Sequence, residues 1–311
     1  MSEQLTWLDI LERRLKALAD GVRADWSVYV RFLAGNEEIT INADRSQDTM
    51  SLIKVPILVT LMRRVERGEA DLSRRLTLTD DHKRLGTGVL FLLDAGASLT
   101  LKDAAWLMTV VSDNTATDIC LEAAGGVDGV NAEMRALGIP DIQMTGDALT
   151  WFRALGSSMD PELGTVAPGE FARRGYPPLG VSDLSDARER YHFETGRPFS
   201  LASARGLGLL LTQLHENCCA EPRTCAVIRG FLLGQQLQTM VPKYAWGVSA
   251  AHKTGGFQPF IASDVGIFTP ASGSPAIICI MSQRYRGQRA LLEDTVARMG
   301  ELVIHAAEAY R

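Results

Sequence analysis

Strand patterns stand at both ends of this sequence, and the long middle between them lacks such patterns, which limits the folds open to the chain. Apolar and β-branched runs typical of strands occur near the N-terminus and recur in the last third of the chain. They cover 26–33, 38–42, 246–252, 260–268 and 276–282. We therefore expect one antiparallel sheet that is built from both ends of the chain.

Helical patterns flank these strands and fill the middle of the chain. Amphipathic periodicity at the two termini predicts helices that cover the sheet, and the middle reads as helices with short polar joints. The predicted helical segments are 5–19, 51–150, 200–214, 224–237 and 290–309. The expected fold class is mixed α/β (α+β), with an antiparallel sheet flanked by terminal helices and an all-helical region inserted in the middle.

The same pattern predicts two domains. A discontinuous α/β sheet domain is expected from 1–46 and 222–311, and a mostly helical domain from 47–221. A length of 311 residues provides for one large domain or two modest ones with a proper core. We expect a ligand site where the two domains meet, a common place for a pocket.

The charge balance gives no reason to expect a nucleic-acid partner. Lysine and arginine total 32 against 37 aspartate and glutamate, for a net charge of -5. No run reaches the roughly 18 apolar residues that a membrane helix needs. The start of the chain reads as an amphipathic helix rather than a signal peptide. We therefore expect a cytoplasmic protein that binds no membrane, and its oligomeric state stays open.

Five cysteines, an odd number, agree with a reducing compartment. His215, Cys218, Cys219 and Cys225 form a cluster that suggests a metal site. Cys218 and Cys219 are adjacent, however, whereas zinc-binding pairs usually straddle two to four residues. We expect no metal here.

Ser51-Leu52-Ile53-Lys54 is the first of three short strings that carry chemistry. A serine hydroxyl is a poor nucleophile unless a base takes its proton, and Lys54 shares a helix face with Ser51 at this spacing. The lysine acts as a base only when neutral, which burial and a nearby positive charge both favour. Polar residues before Ser51 and an apolar run after it predict that Ser51 opens a helix, where free N–H groups stabilise negative charge.

Ser112-Asp113-Asn114 is the second string and lies between two helical patterns. At such a junction Ser112 can pass a proton to a leaving group, and the Asn114 amide can donate to a substrate carbonyl. The alternative is a simple helix cap, for which all three residue types are preferred.

Lys253-Thr254-Gly255 is the third string, followed by Gly256 after a strand-like run of small residues. Glycines on a strand let backbone N–H groups approach a ligand closely. The N–H groups of Ser51 and Gly256 are our candidates for an oxyanion hole, and Lys253 and Thr254 are candidates for binding a substrate carboxylate. A strand edge with a solvated lysine is the alternative.

Taken in order, the strings spell the S-x-x-K, S-D-N and K-T-G set, and the chain resembles class A β-lactamases and penicillin-binding proteins. The resemblance extends through 86–116 and 233–267. It implies a two-part β-lactamase/transpeptidase-like fold, an acyl-enzyme on Ser51, catalytic roles for Lys54, Ser112 and Lys253, and no cofactor.

The resemblance breaks between the second and third strings. Class A β-lactamases carry E-x-x-L-N there, and its glutamate activates the water that releases the acyl group. The nearest match is Asp160-Pro161-Glu162-Leu163-Gly164, which lies further along than usual and lacks the leading glutamate and the asparagine. Either Asp160 or Glu162 activates the water, or the chain belongs to related hydrolases without the glutamate, which we favour. Lys54 and a residue of the following insertion are further candidates.

That insertion, about 156–198, shows no sustained helical periodicity, and loops of this length are usually functional lids or disordered segments. It is rich in cationic and aromatic residues that could close over an anionic substrate, the alternative being a solvated loop. These residues are Arg173, Arg174, Tyr176, Arg188, Arg190, Tyr191 and His192.

The expected function is a serine hydrolase that cleaves a small amide, lactam or ester. Most β-lactamases and transpeptidases act outside the cytoplasm, whereas this protein is expected to be cytoplasmic, so a small metabolic substrate is favoured. A true class A β-lactamase, a penicillin-binding or sensor-like protein that acylates without turnover, and a non-catalytic binding module are the alternatives.

Overall fold

The computed structural model describes residues 6–174 and 181–309, with the side chains of 181–185 left out. Its described residues divide into two compact units. One, the sheet unit, comprises Met1–Leu52 and Ala202–Arg311; the other, the helical unit, comprises Ile53–Leu201. The predicted boundaries at 46/47 and 221/222 stay a prediction.

Among the described residues, eleven α-helices follow one another in chain order: α1 (Trp7–Asp20), α2 (Lys54–Glu66), α3 (Leu101–Val110), α4 (Asn114–Ala123), α5 (Gly126–Ala136), α6 (Ala148–Ser157), α7 (Pro168–Arg174), α8 (Val181–Arg190), α9 (Ala204–His215), α10 (Pro222–Leu233) and α11 (Arg289–Ala309). The strands are β1 (Asp25–Phe32), β2 (Glu38–Ile41), β3 (Gln47–Asp48), β4 (Arg75–Thr77), β5 (Ser98–Thr100), β6 (Gln143–Met144), β7 (Ser200–Ala202), β8 (Ser249–Phe257), β9 (Ile261–Thr269) and β10 (Ala276–Gln283).

The sheet unit contains a five-stranded sheet in the order β2-β1-β10-β9-β8. Every neighbouring pair in it that has a described register is antiparallel, and Val28 of β1 lies opposite both Ile280 of β10 and Ile41 of β2. The prediction of one antiparallel sheet from both ends of the chain is confirmed. β8, which carries the K-T-G string, is an edge strand of this sheet, and β2 is the other edge strand.

Alternation along the strands buries both faces of the sheet. Val28 and Val30 of β1 join Ile278 of β10 in a core cluster with apolar residues of α1 and α11. Side chains between them point to the other face, where the ring of Tyr29 lies against Gly208 of α9. The predicted covering by terminal helices is therefore confirmed for one face, and α9 covers the other.

The helical unit is organised around α2. Every residue from Lys54 to Met62 is buried, as expected for a helix surrounded by others, and α2 packs on α3, α4 and α5. Pro56 fits because it lies in the first turn, where its missing N–H has no helical partner to lose. The region is not all-helical as predicted: β4 pairs with β5, and β6 pairs with β7. These strands are too short for a period-2 pattern to be recognised in sequence.

The insertion is also more helical than predicted. Its described part contains a 3-10 helix at Pro161–Gly164, then α7, α8 and a π-helical turn at Tyr191–Thr195. Each helix is too short for the apolar period to repeat, which explains why the sequence pattern did not show it. α7 is instead supported by its ion pairs: the Glu170 carboxylate accepts from Arg174 at 2.7 Å, one turn away. Tyr176 lies outside the described residues.

No helix in the described ranges is both long enough and apolar enough to cross a membrane.

Candidate active site

Ser51 lies in a 3-10 helix, Met50–Ile53, that runs directly into α2. The predicted helix start at Ser51 is wrong by one turn, because local contacts close a tighter turn first. The Met50 N–H donates to Asp48 Oδ1 at 3.0 Å, and the Leu52 N–H donates to the Thr49 carbonyl at 3.0 Å. Ser51 is half-buried, whereas the residues that follow it up to Met62 are buried. Ser51 is therefore the one residue of the 3-10 helix Met50–Ile53 that is not buried.

Lys54 opens α2 with its side chain almost fully buried, at 1% exposure. Its Nζ donates to the Ser112 carbonyl at 2.7 Å, to Ser112 Oγ at 2.9 Å and to Asn114 Oδ1 at 2.9 Å. Within the helical unit, Lys54 of the first string thus contacts the second string, although 58 residues separate Lys54 from Ser112. A buried lysine needs such partners, because an unpaired buried charge is strongly unfavourable.

The S-D-N string lies at the predicted junction between α3 and α4, and its members have different tasks. Ser112 has a φ of 59°, a left-handed conformation that is uncommon for a residue with a Cβ. Asp113 is fully buried and caps α4 by accepting from the Ala116 N–H at 2.9 Å. Asn114 is the first residue of α4. Asp113 is thus the helix cap that the alternative interpretation predicted, while Ser112 and Asn114 contact Lys54. The roles of Ser112 and Asn114 toward a substrate stay predictions.

A loop at residues 85–90 encloses the S-D-N string, a role that the sequence did not indicate. Asp113 Oδ2 accepts from the Val89 and Leu90 N–H groups at 2.6 and 2.8 Å. Thr87 Oγ1 donates to the Ser112 carbonyl at 2.6 Å. Gly88 has a φ of 114°, and a Cβ there would lie 2.3 Å from the Asp113 carboxylate carbon. Two glycines flanking a threonine were the available signal, but only the contacts reveal their purpose.

The K-T-G string lies within β8, which continues past His252, where the predicted strand ended, to Phe257. Lys253 is fully buried, and its Nζ donates to the Thr254 carbonyl at 2.8 Å. Burial lowers the pKa of Lys253 to about 7, although the negative charge of Asp264 acts in the opposite direction. A lysine with this pKa changes its charge within the physiological pH range.

Gly255 and Gly256 differ in their surroundings. A Cβ on Gly255 would lie 2.7 Å from the Thr49 carbonyl and 2.9 Å from Leu52 Cγ, so β8 approaches the turn that carries Ser51. Gly256 is exposed. Within the sheet unit, the structure therefore brings the third string next to the serine turn.

His252 and Asp264 form a buried pair on the two strands behind the string. His252 Nδ1 lies 2.8 Å from Asp264 Oδ1, and Asp264 Oδ2 accepts from the Val241 N–H at 3.1 Å. Sequence reasoning missed this pair, because nothing local relates residues 252 and 264 apart from the antiparallel register.

Asp160 and Glu162 lie around the 3-10 helix of the insertion. Asp160 caps it by accepting from the Glu162 N–H at 3.0 Å. The Glu162 side chain is 78% exposed and lies 3.5 Å from Arg174. Both carboxylates therefore have local structural partners.

Two of the described aromatic residues of the insertion, Tyr191 and His192, contact other rings, and the role of the insertion as a lid stays a prediction. Tyr191 is buried, with its ring edge-on to Trp151 at 5.8 Å between centroids. His192 stacks edge-on to Phe193 at 4.9 Å. Arg173 and Arg174 both pair with Glu170, and Arg190 is exposed.

The cysteine cluster holds two close thiols: Cys219 Sγ and Cys225 Sγ are 3.7 Å apart and buried, while Cys218 is exposed. Among the described residues, no group of three or more His, Cys, Asp or Glu side chains is arranged to hold a metal ion.

The model of the beta-lactamase enzyme family matches residues 10–307. The chain belongs to this family. It is similar to a β-lactamase of Streptomyces albus G, with 26% identity over 306 residues that cover 95% of this chain and 82% of that protein. It is similar to a β-lactamase of Bacillus licheniformis, with 25% identity over 275 residues that cover 87% of this chain and 75% of that protein. The β-lactamase-family chain is thus a serine hydrolase that acts on amide or lactam bonds.

Solved structures agree with this fold. A β-lactamase from Sphaerobacter thermophilus DSM 20745 superposes with a TM-score of 0.76 at 22% identity, covering 99% of this chain and 100% of that one. A structure of PBP-A superposes with a TM-score of 0.75 at 20% identity, covering 97% of each chain. The predicted β-lactamase/transpeptidase-like fold is confirmed.

Proposed function

We propose that this β-lactamase-family enzyme cleaves a small amide, lactam or ester through an acyl-enzyme on Ser51. The observation that carries the proposal is the placement of Lys54, buried and hydrogen-bonded to both Ser112 and Asn114. Three donors of one lysine engage the second string, and the serine stands three residues before it on a continuous helical segment.

In acylation, Ser51 Oγ attacks the carbonyl carbon of the substrate, and its proton passes to Lys54. The lysine must first lose one of the three protons that it donates to the second string, because only the neutral amine has a lone pair that can accept a proton. Ser112 is suited to relay this proton to the leaving group, because a hydroxyl both accepts and donates, whereas the Asn114 amide oxygen only accepts. The C–N or C–O bond then breaks and the leaving group departs protonated, so that the ester on Ser51 remains.

The tetrahedral intermediate places a negative charge on the former carbonyl oxygen. We assign its stabilisation to the N–H groups of Ser51 and Gly256. The exposure of Gly256 and the close approach of Gly255 to the serine turn support this assignment.

We assign binding of a substrate carboxylate to Lys253 and Thr254, and binding of the substrate amide to Asn114. A buried ammonium and an adjacent hydroxyl are suitable donors to a carboxylate. A carboxylate-bearing substrate and a cytoplasmic location stay predictions.

Deacylation distinguishes the candidate functions. Asp160 caps a turn and Glu162 is exposed beside Arg174, which argues against either as the water-activating base. This favours hydrolysis of a small acyl group, whose ester leaves room for water activated by Lys54. The same observation supports the second candidate, a penicillin-binding or sensor-like protein that acylates without turnover.

Intact-protein mass spectrometry with a reactive β-lactam and with an activated ester tests the proposal. Wild type should gain one acyl adduct on the peptide that contains Ser51, and Ser51→Ala should gain none. Equal labelling of that peptide in Ser51→Ala would show that the nucleophile is misassigned. Turnover of nitrocefin at a kcat/KM of about 10⁴ M⁻¹s⁻¹ or more would instead identify a true β-lactamase.

A further inference from the structure

Arg84 directly precedes the 85–90 loop that encloses the S-D-N string. Both its backbone N–H and its guanidinium donate hydrogen bonds. Its backbone N–H donates to Thr115 Oγ1 at 2.9 Å. Its Nε donates to Asp118 Oδ2 at 2.5 Å, and its terminal nitrogen donates to the Asp81 carbonyl at 2.6 Å. The Arg84 and Asp118 side chains are 12% and 8% exposed, so this ion pair is shielded from water.

Asp118 uses its carboxylate to join further elements. Besides Arg84, its oxygens accept from the N–H groups of Ala148 and Leu149, at 2.8 and 3.2 Å, at the start of α6. Burial raises the pKa of Asp118, and the positive charge of Arg84 counteracts this. The Arg84–Asp118 pair therefore lies at the point where α4, α6 and the loop meet.

The same loop orients the Asn114 amide. The carbonyl of Leu85, the residue after Arg84, accepts from Asn114 Nδ2 at 2.8 Å. The Thr87 carbonyl accepts from the Asn114 N–H at 3.0 Å. Because Leu85 binds the nitrogen end of the amide, the oxygen end faces Lys54, which donates to it at 2.9 Å. The position of the Leu85 carbonyl thus decides whether Asn114 presents an acceptor to Lys54.

The short 3-10 helix that precedes this loop, Asp80–His82, contacts the insertion. Asp81 Oδ1 accepts from the Gly169 N–H at 2.9 Å, at the start of α7. A Cβ on Gly169 would lie 3.0 Å from both Asp80 Cβ and Asp81 Oδ1, so the two segments are in close contact. The segment 80–90 therefore contacts α7 through Asp81 and the first turn of α4 through Leu85 and Thr87.

We propose that Arg84, paired with Asp118, is a positioning residue that fixes the Asn114 amide toward Lys54 and couples the insertion to the active site. The proposal rests on the proposed roles of Asn114 and Lys54. Arg84 itself touches neither the substrate nor the reacting atoms. It acts through Leu85 and Asp118.

A double-mutant cycle with acylation rate as the readout tests the proposal. In Arg84→Met the rate of Ser51 acylation should fall about 10²-fold, because small misplacements of catalytic groups have effects of this size. The KM should change much less than kcat. In the Asn114→Ala background the same substitution should have little further effect, because both act through one amide. Fully additive losses would overturn the proposal.

Two further variants complete the set. The first is the single variant Arg84→Lys, and the second is the double variant that combines Arg84→Met with Asp118→Asn. The first keeps the charge but lacks the planar fork, so it should recover only part of the rate. The second leaves no uncompensated buried charge and guards against simple unfolding. Arg45→Met is the matched control, because it removes a surface arginine that pairs with Asp25 at 2.7 Å. It should leave the rate unchanged.

A second readout is independent of acylation. The side-chain amide resonances of Asn114, assigned by their loss in Asn114→Ala, should shift in Arg84→Met and stay in place in Arg45→Met. Unshifted resonances in folded Arg84→Met would overturn the positioning role. Failure of wild type to acylate at Ser51 would instead refute the proposed function, and the resonances would still test Arg84.

Discussion

The two buried lysines of this enzyme are held in opposite ways. Lys54 donates to three oxygens of the S-D-N string, and that string is itself fixed by the 85–90 loop. Lys253 donates to the carbonyl of its own neighbour Thr254, on an edge strand. The first arrangement holds the amino group at three points, as its proposed role in proton transfer requires, whereas the second leaves a lysine whose charge depends on pH. The S-D-N side is therefore expected to be sensitive to geometry and the K-T-G side to charge.

Removing the fixed lysine should have the largest effect. Lys54→Ala is expected to lower the acylation rate by about 10³-fold or more, because the general base and its hydrogen bonds to Ser112 and Asn114 disappear together. Stopped-flow or mass-spectrometric acylation kinetics measure this, with circular dichroism to confirm folding. Acylation within about tenfold of wild type would remove Lys54 from the mechanism.

Substituting the glycine beside Asp113 tests the rigidity of the S-D-N side. Gly88→Ala should lower the free energy of unfolding by about 3 kcal/mol, since its backbone is left-handed and its Cβ would collide with Asp113. Gly96→Ala is the matched control, because Gly96 has a similar φ of 101° but nothing within 4 Å of a Cβ. Equal losses in urea unfolding would show that the contact with Asp113 is unimportant.

The K-T-G side should respond through substrate binding. Lys253→Met is expected to raise the KM for a carboxylate-bearing substrate by about tenfold to 10²-fold, the size of a charged hydrogen bond. For the corresponding neutral methyl ester the KM should change little. Steady-state kinetics on the two substrates separate these outcomes, and an equal rise for both would mean that Lys253 supports the fold rather than the carboxylate.

The smallest effect should appear in the pH profile. Because burial lowers the pKa of Lys253 to about 7, the side chain is charged below that pH and neutral above it. The KM for the carboxylate substrate should therefore rise by up to about tenfold between pH 7 and pH 8, and it should level off below pH 7. Wild type with the methyl ester should show no such rise. A flat profile for the carboxylate would show that Lys253 stays charged.

Sequence patterns predicted well where the signal is local or repeats. The periods of 26–33 and 276–282 identified sheet strands, and the S-x-x-K and S-D-N strings identified Lys54 and the two residues that accept its hydrogen bonds. They failed where the elements are short. α7 and α8 show fewer than three helical periods, so the insertion was predicted to be a loop. The strand pairs of the helical unit are also too short to show a repeating pattern, so this unit was predicted to be all-helical.

By itself the sequence determined the order of the main sheet strands and of the longer helices, the family resemblance, and the side chains available for chemistry, because periodicity and motif spacing are local properties of the chain. Tertiary structure alone decided how they are used. Lys54 finds its acceptors 58 and 60 residues away. Asp113 is enclosed by residues that are 23 and 24 positions earlier. The lowered pKa of Lys253 comes from burial. Hydrogen-bond partners and burial depend on which distant segments pack together, and no local pattern contains that information.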